Sequence, residues 1–510
     1  MQANNLEHLI AMILYMAAVI GIGIFFAKKA NKNSEAYFLG GRTLGPWVSA
    51  FSAEASDMSG YLLMGMPGLA YWSGMADATW TAIGLAAGTY LNWLITSKRL
   101  RRYSITVDAI TIPDFFSNRF HEKKKVLMTF ASIFIIIFFT PYAGSCLVAC
   151  GKLFSQLFGA PYKTMVIIAA VFVLTYTFIG GFLAESASDF MQAVVMIAAL
   201  SFMLIIGTAA AGGIGAVISN AQSIPGFMSL LTSASPSATA AGVFGDSKPY
   251  GFLTILSTLA WGLGYFGMPQ VLLRFMGIRS EKELTSSRRI AIIWCVISMF
   301  CAVAIGIIGR SLFFSTYASN ADAENVFILM ATTLVPPLIA GLVCAGILAA
   351  SISSSDSYLL ISASAISKNV WQGLIRKDAS DKEVMTVSRI VLILVTAVAA
   401  AMAMEPDSPI FVIVSFAWAG FGAAFGPLML FSLFWRRINL PGAIAGMVTG
   451  GAMVFIWKFL VKPLGGVFGI YELLPAFICS CIAIVVVSLL TKENKELEAE
   501  FDSVNAKSYQ

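Results

Sequence analysis

The stretch Ser52-Ala53-Glu54-Ala55-Ser56-Asp57-Met58-Ser59-Gly60 sets two carboxylates inside a segment that otherwise reads as membrane-spanning. A charged side chain in hydrocarbon is costly, and where one occurs it usually faces a cavity or an ion path. Gly60, Gly65, Pro67 and Gly68 follow closely. That composition lets backbone leave helical geometry and turn its carbonyls inward, as broken transporter helices do near the bilayer midplane. The segment therefore points to a helical membrane bundle with an interrupted span and a cation site at the interruption.

The rest of the chain agrees with a polytopic membrane protein. Of its 510 residues 58% are hydrophobic and only 12% charged, about half the charge of a soluble domain. Thirteen apolar runs approach the length needed to cross a bilayer: about 7–27, 46–72, 77–97, 126–152, 163–183, 189–212, 250–276, 289–313, 334–366, 388–404, 409–434, 440–461 and 469–491. With the connections assigned alternately to the two sides, one side collects 27 of the 33 Lys and Arg, starting with Lys28, Lys29, Lys32 and Arg42. Positive residues stay in the cytoplasm, so the expected orientation is N-terminus out and C-terminus in. The net charge of +6 is explained by this asymmetry and does not suggest nucleic acid.

Several function classes lose support. His8, at the edge of the first apolar run, and His121 are read as lying outside the apolar cores of the spans, and the seven cysteines sit within the runs without CxxC spacing. They read as small buried or lipid-facing residues, and an integral membrane enzyme lacks its usual His, Cys or metal constellation. A channel would need a filter or ring supplied by symmetry, and nothing suggests one. A substrate-sensing receptor stays open as an alternative, although the charged segment 492–510, a short helix or disordered tail, is too small for a signalling domain. The first run lacks a basic leader and a cleavage site, so it reads as a retained helix. No obligate protein partner is evident. The Gly-, Ala-, Ser- and Pro-rich connection 213–249 is expected to hold short interfacial helices.

Intramembrane carboxylates are the natural candidates for chemistry. Asp57 is the clearest; Glu54 reads as a vestibule charge and Asp77 as an outer-edge residue. Asp189 opens a span after Gly180-Gly181-Phe182-Leu183-Ala184, and Asp356 lies in Ser351-Ile352-Ser353-Ser354-Ser355-Asp356-Ser357. Such a run presents oxygen ligands, which a hard cation requires. The plainer readings are serines that bond their own helix or join helices, and an aspartate satisfied by backbone N–H groups at a helix break. Trp261 and Tyr265, in Trp261-Gly262-Leu263-Gly264-Tyr265-Phe266-Gly267-Met268-Pro269, are expected on one helix face, with Pro269 extending the row. Aromatic faces suit a compact solute whose ammonium can be held by cation–π attraction. Ordinary packing with a proline kink is the alternative. Tyr142, after Pro141, is a further polar aromatic.

At these residues the chain resembles the sodium/solute symporter family, most closely its sodium/proline branch. The matching stretches are Ala55-Ser56-Asp57-Met58-Ser59-Gly60, Tyr176-Thr177-Phe178-Ile179-Gly180-Gly181-Phe182-Leu183, Trp261-Gly262-Leu263-Gly264-Tyr265-Phe266-Gly267 and Trp418-Ala419-Gly420-Phe421-Gly422-Ala423-Ala424-Phe425-Gly426-Pro427. Gly40-Gly41-Arg42-Thr43-Leu44-Gly45-Pro46 and Ile347-Leu348-Ala349-Ala350 fit as well, so the likeness covers about residues 8–490.

The resemblance implies an all-α fold of the leucine-transporter type, built from a 5+5 inverted repeat. Residues 1–491 would form one transmembrane domain: an extra helix 7–27, a first repeat 46–212, a second repeat 250–434 and two further helices 440–491. Residues 492–510 would be a cytoplasmic tail. It also implies sodium-coupled symport of L-proline through the cell membrane, in a bacterium the inner membrane, with another amino acid, a betaine or a sugar acid as alternative solutes. Sodium is the coupling ion and no cofactor is implied. Carried over by resemblance, sodium sits at Ala55 and Met58 through carbonyls and at Ser353 and Ser354 through hydroxyls, with Asp57, Ser59 and Ala350 alongside. A second sodium would use Asp189, Asp356 and Ser357. The solute would meet Tyr142, Trp261, Tyr265 and Pro269. Glu54, Tyr61, Ser354 and Asp356 depart from the family's usual residues.

Overall fold

The computed structural model describes residues 3–30, 33–237 and 239–506; Lys32 of the expected charge asymmetry and residues 507–510 of the expected tail lie outside them. The chain is a bundle of long helices with one antiparallel hairpin, Thr232–Pro236 against Phe244–Pro249. Among the described residues nine helices are long and apolar enough to cross a bilayer, or ten when Phe252–Phe266 and Pro269–Gly277, bent by 42°, count as one span.

This is fewer than the thirteen expected, and the difference lies in interrupted helices. The interval 46–72 is helical but splits into Pro46–Gly60, a wide turn Tyr61–Gly65 and Met66–Ser73. Helix fills 77–97 as Met75–Leu91 running into a wide turn, and Tyr162–Phe178 is a short apolar helix. The loop expected before Asp189 is absent. Helix is continuous there except for a break at Gly181, with φ +59°, so Asp189 stands two turns inside the following span.

The breaks have local causes. Ser59 has φ 48° and ψ −171°, which no helix tolerates, and its Oγ accepts the Tyr61 N–H at 3.2 Å. In the second interrupted segment a narrow 3₁₀ turn, Ala260–Phe266, gives way at Gly267 and Met268 before Pro269 opens a new helix. Proline lacks an N–H and is at home in a first helical turn. The N-terminal flank of the first broken segment and the C-terminal flank of the second are stitched together: Leu44 N donates to Gly277 O at 3.2 Å and Arg279 N to Leu44 O at 3.0 Å.

Helix Pro337–Ser364 is the central post. It packs against Pro46–Gly60, Val126–Phe158, Tyr162–Ala210 and the N-terminal helix, and every residue from Val343 to Ser364 is buried. Two further features differ from expectation, and the tail takes the helical one of its two expected forms. The connection 213–249 holds one short helix, Ile214–Gln222, and the hairpin. His8 falls within the first apolar helix and is buried. The tail segment forms a helix, Lys495–Ala506, that buries Leu497, Phe501 and Val504 and brings Glu500 to Tyr103 at 2.8 Å and to His121 at 2.7 Å.

Candidate functional site

The first broken helix and the central post meet where the serines are. Ser353 Oγ donates to the Ala55 carbonyl at 2.8 Å, and Ser354 Oγ reaches the same oxygen at 3.3 Å, across 298 and 299 residues of sequence. Ser353 Oγ also lies 3.2 Å from Ala350 O. Ala55, Met58, Ser353 and Ser354 are all buried. Each hydroxyl oxygen carries two lone pairs and its hydrogen can rotate, so the two hydroxyls and the Ala55 carbonyl form an oxygen cluster able to turn towards a hard cation. The Met58 carbonyl accepts the Tyr61 N–H at the break.

Asp57 sits beside this cluster, 3% exposed. Its Oδ1 accepts from Gln270 Nε2 at 3.1 Å, and its backbone carbonyl accepts from the Tyr142 hydroxyl at 3.3 Å. Gln270 follows Pro269 in the second broken segment, so Asp57 joins both broken helices. Sequence reading gave Gln270 no role. Its position one residue after the predicted solute-contacting proline was the available signal.

The aromatic candidates form a wall whose geometry differs from the expected helix face. Because 260–266 is a 3₁₀ turn, residues four apart no longer superpose, and the break before Pro269 ends the row. Trp261 instead stacks on Tyr61 at 5.7 Å and on Tyr471 at 5.1 Å, while Tyr265 meets Trp418 edge-on at 4.9 Å. Trp418 Nε1 donates to the Trp261 carbonyl at 2.7 Å, locking the turn. Tyr142 packs on Tyr358 with ring centres 4.3 Å apart. Trp261 and Tyr471 also line a cavity of about 550 Å³ that holds Asp77, Lys458, Lys462 and Glu472.

Asp189 and Ser357 come together, but around an arginine. Arg274, fully buried, donates through Nη2 to Glu185, to Asp189 Oδ2 at 3.1 Å and to Ser357 Oγ at 2.9 Å. Its Nε donates to Ser52 Oγ at 2.9 Å, and Ser52 donates on to Asp189 Oδ2 at 2.6 Å. Ser357 also bonds Glu185. Asp356 lies beside Glu185 but makes no hydrogen bond to Arg274: its Oδ1 accepts the neighbouring Ser357 N–H at 2.8 Å, and Oδ2 has no hydrogen-bond partner. A buried carboxylate needs a cation or several donors, and for Glu185 and Asp189 the guanidinium fills that role. Both new members are visible in the sequence as charges: Arg274 falls inside the run 250–276, and Glu185 lies in what reads there as a loop.

Comparison with known proteins follows the same lines. Residues 37–450 match the model of the sodium:solute symporter family. The chain is 39% identical over 490 residues to the osmoregulated proline transporter OpuE of Bacillus subtilis, covering 96% of each chain. It is also 39% identical over 497 residues to the sodium/proline symporter of Staphylococcus aureus, covering 96% of this chain and 94% of that protein. Among solved structures, a substrate-bound, outward-open sodium-coupled sialic acid symporter superposes with a TM-score of 0.77 at 18% identity, over 96% of this chain and 98% of that one. Mhp1, a nucleobase-cation-symport-1 family transporter, superposes at 0.55 with 14% identity, over 92% and 98%. The chain belongs to the sodium:solute symporter family.

Proposed function

We propose that the chain carries L-proline into the cell together with sodium, by alternating access. The observation that carries this is the oxygen cluster of Ala55, Ser353 and Ser354 at the break of the first helix. The relatives named for proline transport, matched nearly end to end, supply the solute. In this reading sodium binds at Ala55, Met58, Ser353 and Ser354, with Ala350 and Ser59 alongside, and Asp57 supplies the negative charge. The solute lies near Tyr142, Trp261, Tyr265 and Pro269. The protein is a multi-pass component of the cell membrane. Thirteen crossings, an outer N-terminus and a cytoplasmic C-terminus belong to the same proposal. So does the division into 7–27, two repeats 46–212 and 250–434, a helix pair 440–491 and a tail from 492.

Coupling follows from where the cation sits. A ligand shifts a conformational equilibrium only by its differential affinity for the two states. Sodium bound between Pro46–Gly60 and Pro337–Ser364 ties the broken helix to the central post and favours the state in which that gap is closed. Each sodium moving inward across 100 mV releases about 2.3 kcal/mol, and a tenfold gradient adds about 1.4 kcal/mol. Together these concentrate a neutral zwitterion on the order of several hundred-fold. One sodium is therefore sufficient. A second would use Asp356, whose Oδ2 is unpartnered, more readily than Asp189 and Ser357, which already hold Arg274. Competition of labelled proline uptake by a panel of amino acids, betaines and sugar acids tests the solute. Proline and close cyclic analogues alone should compete at low excess; stronger competition by an unrelated solute would reassign it.

A further inference from the structure

The cavity of about 550 Å³ beside Trp261 has no part in the central site. Four elements meet around it: Met75–Leu91 through Asp77, Phe252–Leu259 and its 3₁₀ continuation through Ser257 and Trp261, Ile410–Phe434 through Ser415, and the connection 457–472 through its lysines and Tyr471. In the orientation proposed above, the ends that line it are the outer ones. Small-molecule sites occupy roughly 300–1,000 Å³, so the space suits a ligand. The Tyr471 N–H donates to Ser257 Oγ at 2.7 Å and its hydroxyl to Ser415 O at 2.6 Å, which fixes one aromatic wall. Trp261, stacked on Tyr471 at 5.1 Å, belongs both to this cavity and to the aromatic wall of the central site.

Charge in the cavity is divided. Glu472 is buried and faces two ammonium groups, Lys462 at 3.0 Å and Lys458 at 3.6 Å, so that end has a surplus positive charge. Asp77 supplies the balancing negative charge. Its Oδ1 accepts from the Tyr250 hydroxyl at 2.9 Å, and among the described residues no ion pair reaches it. The sum is zero with the two signs at separate places, which complements a small zwitterion. A bare cation would need several oxygens gathered at one point, and a bare anion would be opposed by Asp77. The Lys462 side chain is 39% exposed, and an ion pair so exposed holds its partners weakly. Its ammonium can therefore turn to a ligand carboxylate at little cost. We propose that the cavity is a second solute site. An incoming zwitterion is held there by its carboxylate at Lys462 and Lys458 and by its ammonium at Asp77, against Tyr471 and Trp261, before it passes to the central site. The inference rests on the proline transport proposed above.

The test reads binding and uptake of labelled L-proline by the full-length protein in saturating sodium. Purified wild type should bind two prolines per chain at saturation. Lys462→Met and Asp77→Asn should each bind one. In proteoliposomes each should need about three- to tenfold more proline for half-maximal uptake, with the sodium dependence unchanged. Lys462→Arg, which keeps the charge, should bind two, a rescue that a general weakening of the fold would not give. If one of the two neutralised variants does not fold, the other decides. One proline per wild-type chain, or two retained in either neutralised variant, overturns the proposal. Failure of the transport assignment looks different: the wild type would then bind no proline and take none up, and both proposals would fall.

Discussion

At the scale of single residues, Asp57 and Arg274 do opposite things with buried charge. Asp57 has one amide donor on its carboxylate and no basic partner among the described residues, so its charge is available to a passing cation. Asp57→Ala should raise the sodium concentration for half-maximal uptake by about tenfold or more, the effect of losing a charge-assisted contact of roughly 1.5–3 kcal/mol. An unchanged sodium dependence would remove Asp57 from the site. Arg274 holds two carboxylates and two serines in the bundle interior. Removing one partner of a buried ion network costs about 3–5 kcal/mol, so Arg274→Gln should lose most of its folded, monodisperse protein on heating. The triple change with Glu185→Gln and Asp189→Asn should recover part of that loss. If R274Q melts like the wild type in fluorescence-detected gel filtration, the network is not holding the bundle together.

At the scale of elements, the interruptions matter more than the helices. Legibility in the sequence divides along that line. The glycines and prolines after Asp57 announce a broken span, and the break falls at Ser59. The 3₁₀ turn at Ala260–Phe266 is not legible. A spacing of four looks alike in either helix type, and only tertiary contacts such as the Trp418 indole on Trp261 O select the narrower one. The glycines packed against that turn do carry a readable packing signal. Gly84 and Gly88 lie four apart on Met75–Leu91, and a Cβ at Gly88 would stand 2.2 Å from the Gly262 carbonyl. Small residues at this spacing let backbones touch inside a membrane. Gly88→Ala should therefore cost about 1–3 kcal/mol of stability by overpacking, and it should displace the turn that carries Trp261 and Tyr265. A thermal melt paired with the proline dependence of uptake checks this. An unshifted midpoint and unshifted proline dependence would show that the contact is not needed.

At the scale of the whole molecule, two helices far apart in sequence meet at one oxygen, the Ala55 carbonyl. Both partners are legible in the sequence because each is chemically odd for its surroundings: a carboxylate beside glycines, and serines crowded on an apolar helix. Arg274 and Glu185 escape because each reads as lying at the inner edge of the membrane, where a charge needs no explanation. The docked tail escapes for a related reason. A stripe of only Leu497, Phe501 and Val504 is too short to distinguish a packed helix from a solvated one before its partners Tyr103 and His121 are in place.

Purified protein in sealed liposomes separates sodium-coupled proline transport from passive permeation. With an inward sodium gradient, labelled proline should accumulate well above its external concentration and then leak out when the gradient is collapsed. Accumulation that is the same with potassium in place of sodium, or equilibration without accumulation, would show that sodium does not drive proline entry.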